Sequence, residues 1–206
     1  MKDVRNLKAL QLDALREVAN IGAGHAATAL SQLTKRTIMI AVPEIAVTRI
    51  EDVPALMGDP DSPVAAVLMH MLGDLTGRTL FMFPEPDAQL LCDLLNRRDI
   101  GTTVVFDELE ISTIKEAANI IGGAYMNALA DFMAMMLLPS VPSLVIDLAG
   151  AVLTTAYLDF GHDRDFVLCA QTDFAFQDVE ETLTGQFLLL PDSASLNAIF
   201  DAIRVD

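Results

Sequence analysis

The sequence predicts a single α+β domain with an internal pseudo-twofold repeat: a mostly antiparallel sheet carrying two long helices. Three observations predict it. A polar motif occurs twice, 99 residues apart, as Asp13-x-x-x-Glu17-x-x-Asn20 and Ser112-x-x-x-Glu116-x-x-Asn119, and in each copy a proline (Pro43, Pro142) follows the Asn by 23 positions. Each motif lies in a long helical pattern, and the segments after it follow the same order in both halves. The stretch Arg97 to Thr103 between the halves is too short to separate independent domains. The repeats span approximately 6–96 and 107–204 of one unit covering 1–206.

Residues 6–34 carry an Ala- and Leu-rich helical pattern ending near Lys35-Arg36. The β-branched run Thr37 to Val42 reads as a strand bounded by Pro43, which cannot donate to a ladder. Glu44 to Ile50 reads as a second strand. Asp52 to Pro63 is loop-like, with three prolines and a glycine. Val64 to Leu72 and Arg78 to Phe83 form a hairpin around Leu75-Thr76-Gly77, and Pro84 to Leu95 closes the half as a short amphipathic helix. In the second half the long helix spans Asp107 to Met136, and Val141-Pro142 matches Val42-Pro43. The run Phe166 to Phe176 is strand-like, Leu183-Thr184-Gly185 matches the first turn, Pro191 matches Pro84, and Ser193 to Ile203 is the last helix. The spacing between equivalent positions grows from 99 to 108, which predicts a loop insertion near Gly161 to Asp178.

With 52% hydrophobic residues the chain can bury a core, and its apolar runs break before the length a bilayer needs, so no membrane span is expected. The N-terminus has no apolar signal region, and Cys92 and Cys169 lack metal or redox spacing; both favour a cytoplasmic location. A net charge of −16 repels nucleic acid. An acidic surface with only four lysines suits a high-salt cytosol, and equally an ordinary acidic protein.

At about 100° per residue, Asp13, Glu17 and Asn20 share a narrow helix face, with Leu7, Ala14, Leu15, Val18, Ala29 and Leu33 roughly opposite. Ser112, Glu116 and Asn119 stand likewise away from Ile114, Ala117, Ile121, Ala128 and Phe132. Gly24 and Gly123 follow on the polar face. A glycine inside a helix costs up to ~1 kcal/mol, so its recurrence suggests close approach of something large. One Glu and one Asn on an exposed helix usually form only a solvated face; duplication with both glycines and both prolines argues for function. Asparagine does not titrate near neutrality and cannot be a general base. It can hold a water in line with an electrophile that is already activated, such as an aspartyl-phosphate whose Mg²⁺ and Lys come from a partner protein.

The duplicated motif resembles that of the CheC family of chemotaxis phosphatases. The resemblance extends through Asn20-Ile21-Gly22-Ala23-Gly24, Asn119 to Gly123, Ala128 to Phe132 and Leu144-Val145-Ile146-Asp147. It implies hydrolysis of the aspartyl-phosphate of the response regulator CheY, with Asn20 and Asn119 orienting water and Glu17 and Glu116 meeting the regulator's Lys. Asp13 or Ser112 would support them. No cofactor of its own is implied, Mg²⁺ coming with the partner. Binding of the receptor deamidase CheD is also implied, with Asp147 in the contact. The relatives CheX and FliM or FliY share the core; two motifs and no appended switch segment favour a free-standing CheC. A non-catalytic adaptor, regulating CheD or acting in a flagellar or archaellar motor complex, is the alternative.

Gly22-x-Gly24-x-x-Ala27 superficially matches a dinucleotide fingerprint but lies mid-helix without the preceding strand. His25 projects to the apolar side and reads as a core histidine. His70 and His162 have no partner spacing, so no metal site is expected.

Overall fold

The computed structural model describes residues 9–49, 52–53, 59–160, 166–177, 179–180 and 182–202. The first half runs α1 (Ala9–Thr34), β1 (Ile38–Ala41), β2 (Ile45–Arg49), β3 (Pro63–Gly73), β4 (Gly77–Pro84) and α2 (Glu85–Leu95). The second runs α3 (Glu108–Met133), β5 (Leu137–Pro139), β6 (Ser143–Leu148), α4 (Ala149–Phe160), β7 (Phe166–Phe176), β8 (Thr182–Pro191) and α5 (Ser193–Ala202). All strand pairs are antiparallel, in the order β1-β7-β8-β4-β3-β5, with β2 also on β7 and β6 also on β3. The repeat is visible in this order: β4 and β8 meet at the centre through Leu80–Leu188 and Phe81–Phe187, and each half's short strands pair with the other half's long one.

β3, β4 and β8 are apolar in nearly continuous runs because both faces of the sheet are covered. On one face, Ala65, Val67, Phe81, Phe83 and Phe174 pack under α1 and α3, and Phe81 meets Phe83 edge to face at 4.5 Å. On the other, Val64, Ala66, Leu80, Met82 and Leu188 pack against Ala149, Val152, Leu153 and Ala156 of α4. The sequence reading gave Ala149–Phe160 no element; the helix exists because this second face must be covered. No helix among the described residues is long and apolar enough to cross a membrane.

The long helices touch each other. A Cβ on Gly22 would lie 2.5 Å from the Tyr125 ring and 2.9 Å from its Cα, so this glycine permits the helix contact. Leu15, Val18 and Ala19 share a cavity with Tyr125 and Leu129, so moving back along α1 means moving forward along α3, and the helices run in opposite senses. The linker is tied down by Asp93. Its buried carboxylate accepts the N–H groups of Gly101, Thr102 and Thr103 and the Thr103 hydroxyl at 2.6–3.0 Å. Arg98 in turn pairs with buried Glu110 of α3 at 2.5 Å. The halves are therefore joined by a buried polar network in which Asp93 is fully engaged and one Glu110 oxygen is left without a partner.

Several expectations are corrected. Leu183-Thr184-Gly185 is no turn; it lies inside β8, where Gly185 makes room for the Phe83 ring, 2.9 Å from an added Cβ. The extra length of the second half is not one loop, because 166–176 is strand; residues 161–165 and 178 lie outside the described residues. Ala29, Leu33 and Phe132 are exposed rather than packed, the last two in the final helical turns, beside strands of four and three residues. His25 is also exposed: the buried line of α1 runs Leu15, Val18, Gly22, Ala26, Leu30, and His25 lies off it. Leu7 lies outside the described residues.

Candidate functional site

The first motif sits in the N-terminal half of α1. Asp13 and Glu17 are exposed, and Asn20, one turn on, is half-buried. Asp13 accepts from Arg16 at 2.9 Å, an ion pair in open solvent that contributes little. Glu17 has no partner among the described residues, so its carboxylate is available to a cation from outside. Asn20 is not free. Its Oδ1 accepts the Val42 N–H at 3.0 Å, and its Nδ2 donates to the Arg16 carbonyl at 3.0 Å and the Val42 carbonyl at 3.5 Å.

That bond accounts for a sequence feature. Val42 is the residue before Pro43, and Pro43 cannot extend the ladder of β1. The Asn amide supplies the partner that the chain loses there. The Asn-to-Pro spacing brings the two together here, but the same spacing in the second half does not produce the contact. Pro43 is exposed and Pro142 half-buried; each lies between the two short strands of its half, two residues past β1 and three past β5.

The second motif sits in the N-terminal half of α3, which starts at Asp107, whose carboxylate accepts the Leu109 N–H at 3.0 Å. Ser112 and Glu116 are exposed and Asn119 is half-buried, matching the first copy. The Ser112 hydroxyl donates to the Glu108 carbonyl at 2.7 Å. Among the described residues neither Glu116 nor the Asn119 amide has a hydrogen-bond partner. Val141, the counterpart of Val42, is 87% exposed where Val42 is 2% exposed.

Gly24 and Gly123 differ from the packing glycines. A Cβ added at either would meet nothing within 4 Å, so the chain's own packing does not require them. Each polar ridge is thus a Glu, an Asn and a bare stretch of backbone facing solvent. Burial pushes the Cys92 and Cys169 thiols up to about 12, so neither is a thiolate near neutrality. Asp147 lies apart from both ridges, exposed on β6, where its Oδ1 accepts the Leu148 N–H at 2.8 Å and it borders a small cavity with Arg78 and Thr155. Val145, Ile146 and Leu148 beside it are 40–46% exposed.

Comparison with known proteins gives a consistent family. The CheC-like family model matches residues 10–47 and 109–146, the two motif helices and the strands after them. The chain is 33% identical over 205 residues to the CheY-P phosphatase CheC of Bacillus subtilis (strain 168), covering 98% of each. It is 29% identical over 121 residues to the flagellar motor switch phosphatase FliY of the same organism, covering 57% of this chain and 30% of that one. In fold it is similar to the X-ray crystal structure of Thermotoga maritima FliY, with a TM-score of 0.80 and 18% identity over 96% of this chain and 98% of that one.

Proposed function

The chain belongs to the CheC-like family, and from that premise we propose that it is a phosphatase acting on the aspartyl-phosphate of a phosphorylated CheY-type receiver domain. The observation that carries the reading is the duplicated ridge: an exposed Glu, a half-buried Asn one turn on, and a glycine after it that the chain itself does not need. Such a convex surface cannot enclose a small substrate. It suits a substrate that is itself a folded protein with its phosphoryl group at a shallow surface.

In this mechanism the receiver brings the Mg²⁺ and the Lys that offset charge on the transferring phosphoryl group. Glu17 or Glu116 pairs with a receiver cation and sets the register of docking. Asn20 or Asn119 then holds one water in line with phosphorus. A bond forms from the water oxygen to phosphorus, the bond from phosphorus to the carboxylate oxygen breaks with its electron pair left on the receiver carboxylate, and inorganic phosphate leaves carrying both protons of the water. The asparagine contributes orientation, not proton transfer. Gly24 and Gly123 let the receiver backbone approach the helix, and Asp13 and Ser112 hold the start of each ridge.

Phosphate release from a phosphorylated receiver with Mg²⁺ tests this. Asn20→Ala and Asn119→Ala should each slow release, and the double variant should fall to the receiver's own rate with the fold intact by circular dichroism. Undiminished release from the folded double variant would remove the mechanism.

Binding of a CheD-type deamidase is a second part of the proposal, and one observation favours it. The outer edge of β6 pairs with no described strand, and Val145, Ile146 and Leu148 are exposed along it beside Asp147. An unpaired apolar edge is suited to a protein partner.

A further inference from the structure

The two halves place most equivalent residues of the motif helices and of β1 and β5 in equivalent surroundings. Leu33 and Phe132 are both exposed, as are Met39 and Leu138, while Ile38 and Leu137 are both buried. Lys35 and Ala134 both end their helices at positive φ, 52° and 53°. The hydrogen bonding of the two motif asparagines does differ. Val42 is buried and bonded to Asn20 through its N–H and its carbonyl, whereas Val141 is turned out to solvent and Asn119 is left without a described partner.

The residue before the valine accounts for the difference. In the first half it is Ala41, which continues the ladder opposite Asp173 and delivers Val42 to the helix. In the second half it is Ser140. Its N–H donates to the His70 carbonyl at 2.9 Å, and its hydroxyl accepts the His70 N–H at 2.9 Å. The same hydroxyl donates to the Val141 carbonyl at 3.3 Å, the group whose counterpart in the first half faces the asparagine. The ladder of β5 stops at Pro139 and the chain turns away from α3. A hydroxyl has thus taken over one backbone partner, the valine carbonyl, that the asparagine holds in the other half.

On the reading of function given above, we propose that this corner is a latch on the water-positioning amide, closed at Asn20 and open at Asn119, with Ser140 as the residue that holds the second centre open. An asparagine amide has two donors and two acceptor lone pairs. At Asn20 both donors and one lone pair are engaged within the chain, which leaves a single point of attachment for a water. At Asn119 none of the four is engaged by a described residue, and they are open to water and the docked phosphoryl group. Freeing Asn20 would leave the Val42 N–H buried and unpaired, a cost equivalent to roughly a tenfold drop in the population of the free amide. The second centre is therefore the faster one, and Ser140 is a positioning residue that touches no substrate.

The test exchanges the two residues and reads each centre alone. With only the second centre active (Asn20→Ala background), Ser140→Ala should slow phosphate release about tenfold and protect the Val141 amide from hydrogen exchange. With only the first active (Asn119→Ala background), Ala41→Ser should speed release and deprotect the Val42 amide, a gain that a purely structural role for position 41 would not produce. Release unchanged or altered in the opposite sense, or exchange at Val42 and Val141 indifferent to these substitutions, overturns the latch. Exchange is read in the folded protein without any receiver, so it reports on the latch even if the phosphatase reading fails. That failure has its own signature, hydrolysis persisting in the Asn20→Ala/Asn119→Ala protein, and it would remove the catalytic meaning of the latch as well.

Discussion

Asn20 and Asn119 share a helical position, a flanking sequence and a degree of burial, yet among the described residues only Asn20 has hydrogen-bond partners. A sequence motif specifies which side chains stand on a ridge, not which of their hydrogen-bonding groups are already engaged. The glycines next to them carry a different lesson. Gly22 is needed by the molecule, since a Cβ there would press on the Tyr125 backbone, whereas Gly24 and Gly123 face empty space. Substituting alanine at Gly24 and Gly123 should therefore raise unfolding free energy by up to ~1 kcal/mol each, through helix propensity. The same changes should slow dephosphorylation if a receiver backbone packs there. Urea unfolding and phosphate release measured on one preparation decide it: greater stability with undiminished turnover would mean that nothing approaches those glycines closely.

The elements divide into those their own residues announce and those the sheet demands. Both motif helices show their period in sequence, and their starts and ends fell within a few residues of expectation wherever described. Helix α4 was not legible, because Ala149 to Phe160 is apolar, opens on a glycine-containing stretch, and lacks a clean polar face. It becomes a helix by covering the reverse side of β3, β4 and β8. Strand β6 is the converse. Its pattern is strand-like, but five of its six residues are exposed, because it has a neighbour on one edge and incomplete cover on its faces. Placing a charge there should affect binding and not folding. Ile146→Lys should abolish capture of a purified CheD-type deamidase while leaving receiver dephosphorylation unchanged; retained capture would move the contact elsewhere.

At the scale of the whole molecule, two halves share one sheet, and the buried Asp93 carboxylate and the Arg98–Glu110 pair fasten the linker between them. The motif ridges therefore belong to one rigid body, facing solvent from helices that run in opposite senses, so a receiver at one need not displace a receiver at the other. The net charge of −16 is spread over this single body, and its self-repulsion is screened within about 10 Å at 0.1 M salt. The melting temperature should accordingly rise as KCl is increased from low ionic strength. A melting temperature that is flat or falling over that series would show that the charge is already balanced locally.

Local periodicity by itself determined the fold class, the duplication and the solvent-facing ridges, because side-chain direction on a helix follows from residue spacing alone. It also marked the first turn of the hairpin between β3 and β4, where Gly77 has a positive φ. Tertiary structure decided what spacing cannot encode: that Leu33, Phe132 and His25 face solvent, that Gly185 is a strand residue making room for Phe83, and that α4 exists. Above all it decided which asparagine is tied. That hydrogen bond spans 22 residues and depends on the path of a backbone corner set by the strand that β1 pairs with, which no local spacing encodes.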